Sequence, residues 1–364
     1  MEVDKWIKQK TKELNIKISK QEYIISFIIF GIVIMIVFII SMIVYIILKD
    51  INSKERAIKI HKRRVPEFYS IEFPEKLFPP QEEYSYEYIK RIETGYEQMK
   101  KYSIVIVGMS RNNEETIVEN IRKIEKIGNY FEKYHILIFE NDSYDDTRNK
   151  IKMIAGNSSN IELLSCNEQE ECKLGIEEIK TMNSENLKKL CSLRNRYLNH
   201  VKSKYSKYDY LMVVDMNMKG PISIDGFATN FSFKNWDIMT ANGIINKLYS
   251  SRKNKIYYYD ILSFIPEENE PYTFFQSKSL PSPNMTFNLK RGIPPLRVKS
   301  GFGGAAIYNI KSLIDSRASY LPQPYHLYSE HAALNLQFYN HGYKNIFINP
   351  SFMILHSIEK MFIF

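Results

Sequence analysis

The stretch YLMVVDMNMKG, residues 210–220, carries Asp215 at the end of an apolar run and Asn217 two positions on. Side-chain direction in an extended chain repeats every second residue. The two therefore point the same way off a strand end, and both offer oxygen to a hard divalent cation. Asparagine is the neutral, weaker ligand. A metal site, a weakened metal site and a plain strand end are all consistent with this pair by itself.

Other residues offer related chemistry. In ENDSYDDT (140–147), Glu140 and Asn141 suit recognition of a nucleotide's base and ribose. The same residue types also suit the cap of a following helix. GMSRNNEE (108–115) has Gly108 for close backbone approach and Arg111 for a phosphate. It is neither GxGxxG nor a Walker loop, which argues against a dinucleotide enzyme and a P-loop ATPase. Arg194, in CSLRNRYLNH, lies at the edge of a helical stripe of Leu190, Leu193, Tyr197 and Leu198. It either meets solvent or aims at a diphosphate. In SGFGGAAIY (300–308), Gly301, Gly303 and Gly304 make a tight loop able to press against a ligand. Glu330 opens an apolar helix, where it complements the helix dipole or accepts a proton from an attacking hydroxyl. His356, in FMILHS, is a core histidine or a further metal ligand.

Short apolar runs place these residues at strand ends. The pattern predicts strands at 103–108, 135–140, 161–165 and 209–215, with helices at 113–130, 145–155 and 183–201 between them. That alternation specifies an α/β fold with parallel strands and helices on both faces. Ligands in such sheets sit beyond the C-terminal strand ends. Glu140, Asn141 and Asp215 all fall there. Further strands are expected at 236–243, 255–262, 303–310 and 344–350, with an insertion from Pro266 to Pro295.

Residues 24–48 form 25 uncharged positions. As a helix they span ~37 Å, enough to cross a ~30 Å hydrocarbon core. The run is too long for a cleaved signal peptide. The chain therefore divides into a basic tail (1–23), a transmembrane helix (24–48), a stem or linker (49–101) and a folded domain (102–364). Lysines and arginines flank the apolar run on both sides, so charge does not set its topology. The net charge of +9 lies largely before residue 65, and no arginine stripe with interleaved aromatics argues for nucleic acid. Three cysteines, at 166, 172 and 191, are too few for a disulfide scaffold. Four N-x-S/T sequons occur, at Asn141, Asn157, Asn230 and Asn284. Asn141 lies inside the candidate site, and the other three can test a lumenal location.

Taken in order, IFENDSYDDT, SLRNRYLNHV, YLMVVDMN, WDIMTANG with YYYDILSF, SGFGGAAIYN, SEHAALN and NPSFMILHS resemble GT-A-fold nucleotide-sugar glycosyltransferases. Among these they are similar to the cryptococcal-mannosyltransferase (capsule-associated) family, over about residues 102–357. The resemblance implies a GT-A-like, Rossmann-type mixed sheet flanked by helices. It implies a nucleoside diphosphate sugar donor carrying a mannose-, glucose- or galactose-type hexose, a glycan or glycoprotein acceptor, and Mn²⁺ or Mg²⁺. Glu140 or Asn141 would face the nucleoside, and Asp215 and Asn217 would hold metal and diphosphate. Gly301 to Gly304 would frame the donor or acceptor. Glu330 would sit near the acceptor hydroxyl, and His356 would complete the metal shell. Asn217 departs from the family pattern, which often has Asp there. The anchor and stem resemble the type II layout of secretory-pathway (ER/Golgi) glycosyltransferases. Two other readings stand beside this one. A catalytically silent GT-A-like module would bind without turnover. A phosphatase or nucleotidyltransferase would want acids on the first strand, which here ends in Gly-Met-Ser.

Overall fold

A computed structural model describes residues 2–63, 72–165, 184–247, 255–267, 289–321 and 329–358. The chain divides into two compact units, Met1–Arg63 and Arg64–Phe364.

The first unit is one helix, α1 (Glu2–Arg63). Its stretch Phe30–Lys49 has a mean hydropathy of 3.1 and is long and apolar enough to cross a membrane. Val37, Phe38, Ile39 and Ile40, successive positions about 100° apart around the helix, are all exposed. A helix apolar on every side has no single face to bury in a soluble core.

The second unit opens with α2 (Ser85–Met99), β1 (Ser103–Ser110), α3 (Ile117–Gly128), β2 (Lys133–Glu140), α4 (Thr147–Gly156) and β3 (Ile161–Ser165). It continues with α5 (Ser184–Lys204), β4 (Tyr210–Asp215), α6 (Ile224–Ala228), β5 (Ile238–Lys247), β6 (Lys255–Tyr258) and β7 (Ile265–Pro266). β8 (Leu296–Ser300), β9 (Ala305–Asn309), α7 (Ile310–Asp315), α8 (Glu330–Asn340) and β10 (Ile346–Ile358) complete it. The described strands form one mixed sheet in the order β3-β2-β1-β4-β9-β5-β10-β8-β7, with β6 beside β5.

β3, β2, β1 and β4 are parallel to one another, and β9 is antiparallel to both β4 and β5. β1 and β4 read as near-continuous apolar runs because both faces of this half are covered. Val105, Val107, Leu211 and Val213 pack with Leu193, Tyr197 and Val201 of α5. Ile104, Ile106, Met212 and Val214 share the opposite core with Ile117, Ile121 and Ile124 of α3. The parallel register pairs Ser110 with Glu140 and Met109 with Asp215. Glu140 and Asp215 thus end strands on either side of β1, roughly 10 Å apart at the ordinary strand spacing.

Three expectations are corrected here. The folded unit does not begin at Tyr102. Tyr88, Gly95 and Met99 of α2 are buried, and a Cβ on Gly95 would lie 2.0 Å from the Ala228 carbonyl oxygen. A sparse apolar stripe among charged residues hid this packing in what reads as a linker. The strand expected at 255–262 ends at Tyr258, because Asp260 is left-handed (φ 63°) and the chain enters a short 3-10 turn, Ile261–Ser263. The run at 344–350 and the run ending in His356 are one strand, β10, with register shifts against β5. Of the expected insertion, residues 268–288 lie outside the described residues, as do Cys166 and Cys172. Cys191 is buried, and desolvation pushes its thiol up to about 12.

Candidate active site

Asp215 closes β4 at the C-terminal edge of the parallel strands. Its backbone N–H donates to the Gly304 carbonyl at 2.9 Å. Gly303 and Gly304 are both left-handed (φ 62° and 91°), a conformation that glycine adopts without a Cβ penalty. The Tyr259 hydroxyl donates to Asp215 Oδ2 at 3.1 Å. His356 Nε2, from β10, lies 3.6 Å from the same oxygen. The Tyr259 ring stacks on the His356 imidazole with centroids 3.5 Å apart. Burial and then the Asp215 charge hold the Tyr259 phenol well above its ordinary range, so it remains a donor.

The turn beyond Asp215 is fixed from α3. Asn120 Nδ2 donates to the carbonyls of Met216 and Met218 at 2.8 and 2.9 Å. Asn217, between them, is exposed. His356 Nε2 is buried and has no hydrogen-bond partner among the described residues. An orphaned imidazole nitrogen beside a carboxylate oxygen is a donor pair suited to a divalent transition ion such as Mn²⁺. No group of three or more His, Cys, Asp or Glu side chains able to hold a metal occurs among the described residues. Asp215 and His356 therefore fit a cation whose other ligands come from a bound molecule.

Arg194 is buried, which removes the solvent-facing alternative. Its Nε donates to Glu330 Oε1 at 2.6 Å, and a terminal nitrogen reaches the Tyr197 hydroxyl at 3.2 Å. Tyr197 donates in turn to the Tyr320 hydroxyl at 2.9 Å. Glu330 begins α8, capped by Ser329, whose side chain accepts from the Ala332 N–H. The adjoining His331 stacks on Phe302 at 3.5 Å, and burial followed by the Arg194 charge keeps it well below the usual histidine range.

Asp260 lies between these two groups. Its Oδ2 accepts from the Ser263 hydroxyl, and Ser263 is hydrogen-bonded to Ser329. Burial pushes the Asp260 carboxyl up to about 7. The Ser263 hydrogen bond pulls it down, while the Asp215 and Glu330 charges add to the rise. Sequence reasoning passed over Asp260, Tyr259, Tyr197 and Tyr320. The available signal was the YYYD run, an aromatic strand ending in a carboxylate.

Glu140 and Asn141 are buried at the end of β2. Glu140 Oε1 accepts from the Ser143 N–H at 2.9 Å, and Oε2 lies 3.6 Å from Arg148 Nε. The loops after β1 and β2 are tied together. Asn112 accepts from the Tyr144 N–H, Thr147 from the Asn113 N–H, and Asp145 from the Glu114 N–H. Arg111 lies 3.4 Å from Asp142. Glu140 braces its own loop, as a capping residue would. Arg111, Asn141 and Glu140 share the edge that holds Asp215, two strands away.

No family model and no curated protein matches the chain. Solved structures do show likeness, and these neighbours are GT-A-fold glycosyltransferases. S. aureus TarS (1–349) aligns with a TM-score of 0.39 and 13% identity, over 68% of this chain and 57% of that one. The same TarS fragment has been solved with UDP-GlcNAc. The mannosyltransferase PcManGT from Pyrobaculum calidifontis, in complex with GDP-Man and Mn²⁺, aligns at 0.39 and 10% identity over 75% and 66%. GalNAc-T7 with UDP, GalNAc and Mn²⁺ aligns at 0.40 and 12% identity over 70% and 44%. The chain thus spans little more than half of TarS (1–349). Likeness of this degree assigns neither a family nor an activity.

Proposed function

We propose that the protein is a membrane-anchored, metal-assisted glycosyltransferase. It would move a hexose from a nucleoside diphosphate sugar to a glycan or glycoprotein acceptor. One observation carries this reading. The Asp215 carboxylate and the orphaned His356 nitrogen converge at a C-terminal strand end, against a glycine loop, on the edge that also carries Glu140, Asn141 and Arg111. The ordered motifs that resemble the cryptococcal-mannosyltransferase family support it. The apolar helix supports a single-pass anchor, with a type II orientation in the secretory pathway.

Asp215 and His356 would hold a Mn²⁺ or Mg²⁺ ion, with Asn217 at the turn beside them. When bound, that ion supplies positive charge where negative charge develops on the departing diphosphate. Tyr259 fixes the Asp215 carboxylate by its hydrogen bond and the His356 ring by stacking. Gly303 and Gly304 keep the floor of the site free of side chains. Arg111, Asn141 and Glu140 would take the nucleoside end. Arg194 and Glu330 form a fixed, charge-compensated wall on the acceptor side.

The test uses the full chain in detergent with Mn²⁺ and a panel of UDP- and GDP-sugars, reading released nucleoside diphosphate. Release from one donor, lost with chelator and in Asp215→Ala, is expected. Full transfer by Asp215→Ala would sink the metal role. A second reading, a catalytically silent sugar- or protein-binding module, is favoured by Asn217. It is neutral and exposed where a second acid would strengthen the site. That module would bind a donor without releasing its nucleotide.

A further inference from the structure

We infer that Asn120 and Lys123 of α3 are positioning residues for the Asp215–His356 pair, acting through the loop of residues 216–220. This inference rests on the transferase reading above and deepens it. α3 turns an apolar face to the sheet, with Ile117, Ile121, Ile124 and Ile127 buried on it. Asn120 and Lys123 are polar yet buried as deeply, at 0% and 4% exposure. Apolar residues at these positions would extend the stripe and avoid the cost of burying an amide and an ammonium. A helix that breaks its own pattern in this way points to a role beyond packing.

The two side chains hold each other and the loop. Lys123 Nζ donates to Asn120 Oδ1 and to the Gly220 carbonyl, each at 3.0 Å. Asn120 Nδ2 takes the Met216 and Met218 carbonyls at 2.8 and 2.9 Å. Alternate carbonyls of the loop, at 216, 218 and 220, are thus gripped by two side chains one helical turn apart. Both acceptors of Lys123 are neutral oxygens, and no ion pair compensates its charge among the described residues.

The far side of the loop is tied to β10 at the partner of Asp215. The Lys219 N–H donates to the His356 carbonyl at 3.0 Å, and the Leu355 N–H to the Pro221 carbonyl at 3.1 Å. A Cβ on Gly220 would lie 2.2 Å from the Leu355 carbonyl oxygen, so the two backbones touch there. Next to Asp215, the Met216 side chain fills the space over Gly108, where a Cβ would lie 2.3 Å from it. In the sheet, β9 and β5 stand between β4 and β10. No shared ladder therefore sets the spacing of Asp215 from His356. The loop is the backbone link between them, and Asn120 and Lys123 set where it runs. Partners behind a pair of ligands fix their orientation, and losing such partners costs about 10- to 100-fold in metal affinity.

The full chain in detergent tests this with Lys123→Met, Asn120→Leu and the double variant. Hydrogen exchange of the metal-free protein is the first readout. Peptides covering 216–221 should exchange at least about tenfold faster in each variant, while those of β1 and β4 stay within about twofold of wild type. Mn²⁺ binding in the presence of UDP or GDP, followed by the electron paramagnetic resonance of the free ion, is the second. Its Kd should rise about 10- to 100-fold. The double variant should lose no more than the worse single, because either change opens the same clamp. A role confined to folding would lower the melting temperature and leave the Mn²⁺ Kd of the folded protein within about twofold of wild type, and that result overturns the inference. So does unchanged exchange at 216–221, or a double variant whose losses multiply. If Asn120→Leu does not accumulate as folded protein, Lys123→Met decides by the same two readouts. Any of these failures in a chain whose wild type binds Mn²⁺ leaves the transferase reading standing, whereas a wild type that neither binds Mn²⁺ nor releases nucleotide sinks both.

Discussion

Arg194 and Glu330 lie 136 residues apart in the chain and meet at 2.6 Å in the interior. Their side chains are 8% and 7% exposed. Breaking such a pair from one side leaves a buried charge uncompensated, at a cost of about 3–5 kcal/mol. Arg194→Met and Glu330→Leu should each destabilise the folded unit by that order in urea titrations. The double variant should cost clearly less than the sum. Additive losses would mean that the two charges do not depend on each other.

Asp260 should couple stability to pH. Its carboxyl titrates near 7 when folded, against an ordinary value of 3.8. The folded state then binds more protons than the unfolded state between about pH 4 and pH 7. Stability from this group is fully present below pH 4 and is lost as pH rises through 7. Asp260→Asn removes the ionisation. It should stabilise the protein at pH 8, on the order of 4 kcal/mol, while leaving pH 4 nearly unchanged. Thermal melts at the two pH values check this.

Much of this site was legible in the chain, for definite reasons. Asp215 could be read because both faces of β4 are buried, so its apolar run ends sharply at the one carboxylate. His356, which the sequence leaves open as core histidine or metal ligand, is buried two residues before the end of β10. The partnership of Arg194 with Glu330 could not, since helical spacing assigns a face but not what that face meets across 136 residues. Asp260 was hidden by a backbone event. β6 ends at Tyr258 and Asp260 is left-handed, while Ser329, which reaches it through Ser263, lies 66 residues beyond Ser263 in the chain. Likewise the packing of α2 within the stem could not be read, because its buried Tyr88, Gly95 and Met99 are diluted by charged neighbours. Asn217 read as a ligand by the period-two rule. That rule holds only within a strand, and β4 stops at Asp215.

The glycine loop should discriminate between its members. A Cβ at Gly303 would lie 2.1 Å from the Ala241 carbonyl oxygen, which is backbone and cannot swing away. At Gly304 the nearest atom would be His356 Cδ2 at 3.5 Å, an ordinary contact. Gly304→Ala should therefore cost only the left-handed penalty of about 1–2 kcal/mol. Gly303→Ala should fail to accumulate as folded protein. Equal yields and melts for the two variants would show that the Gly303–Ala241 approach can widen at little cost.

The Asp215–His356 pair should respond to metal apart from catalysis. An ion that binds the folded state alone raises its stability by mass action, ~2.7 kcal/mol at a hundredfold excess over Kd. Mn²⁺ with UDP or GDP should raise the melting temperature of the full chain. Asp215→Ala and His356→Ala should each abolish the Mn²⁺-dependent part. An unchanged shift in both variants would place the ion elsewhere.

Glycosylation offers a test of topology that the fold sharpens. Asn230 was expected to serve as one of three lumenal markers, yet it is buried. Its Nδ2 donates to the Phe227 carbonyl at 2.8 Å, and its Oδ1 accepts from Asn349 at 2.7 Å. A glycan there would require that network to open, so Asn230→Gln should leave electrophoretic mobility unchanged. Asn157 is exposed just after α4. If the folded unit is lumenal, Asn157→Gln should remove an endoglycosidase-sensitive mass in a eukaryotic secretory host. A glycan on Asn230 would contradict the packing of β10 against the 229–232 turn. An unmodified Asn157 would count against a lumenal domain and so against the type II orientation.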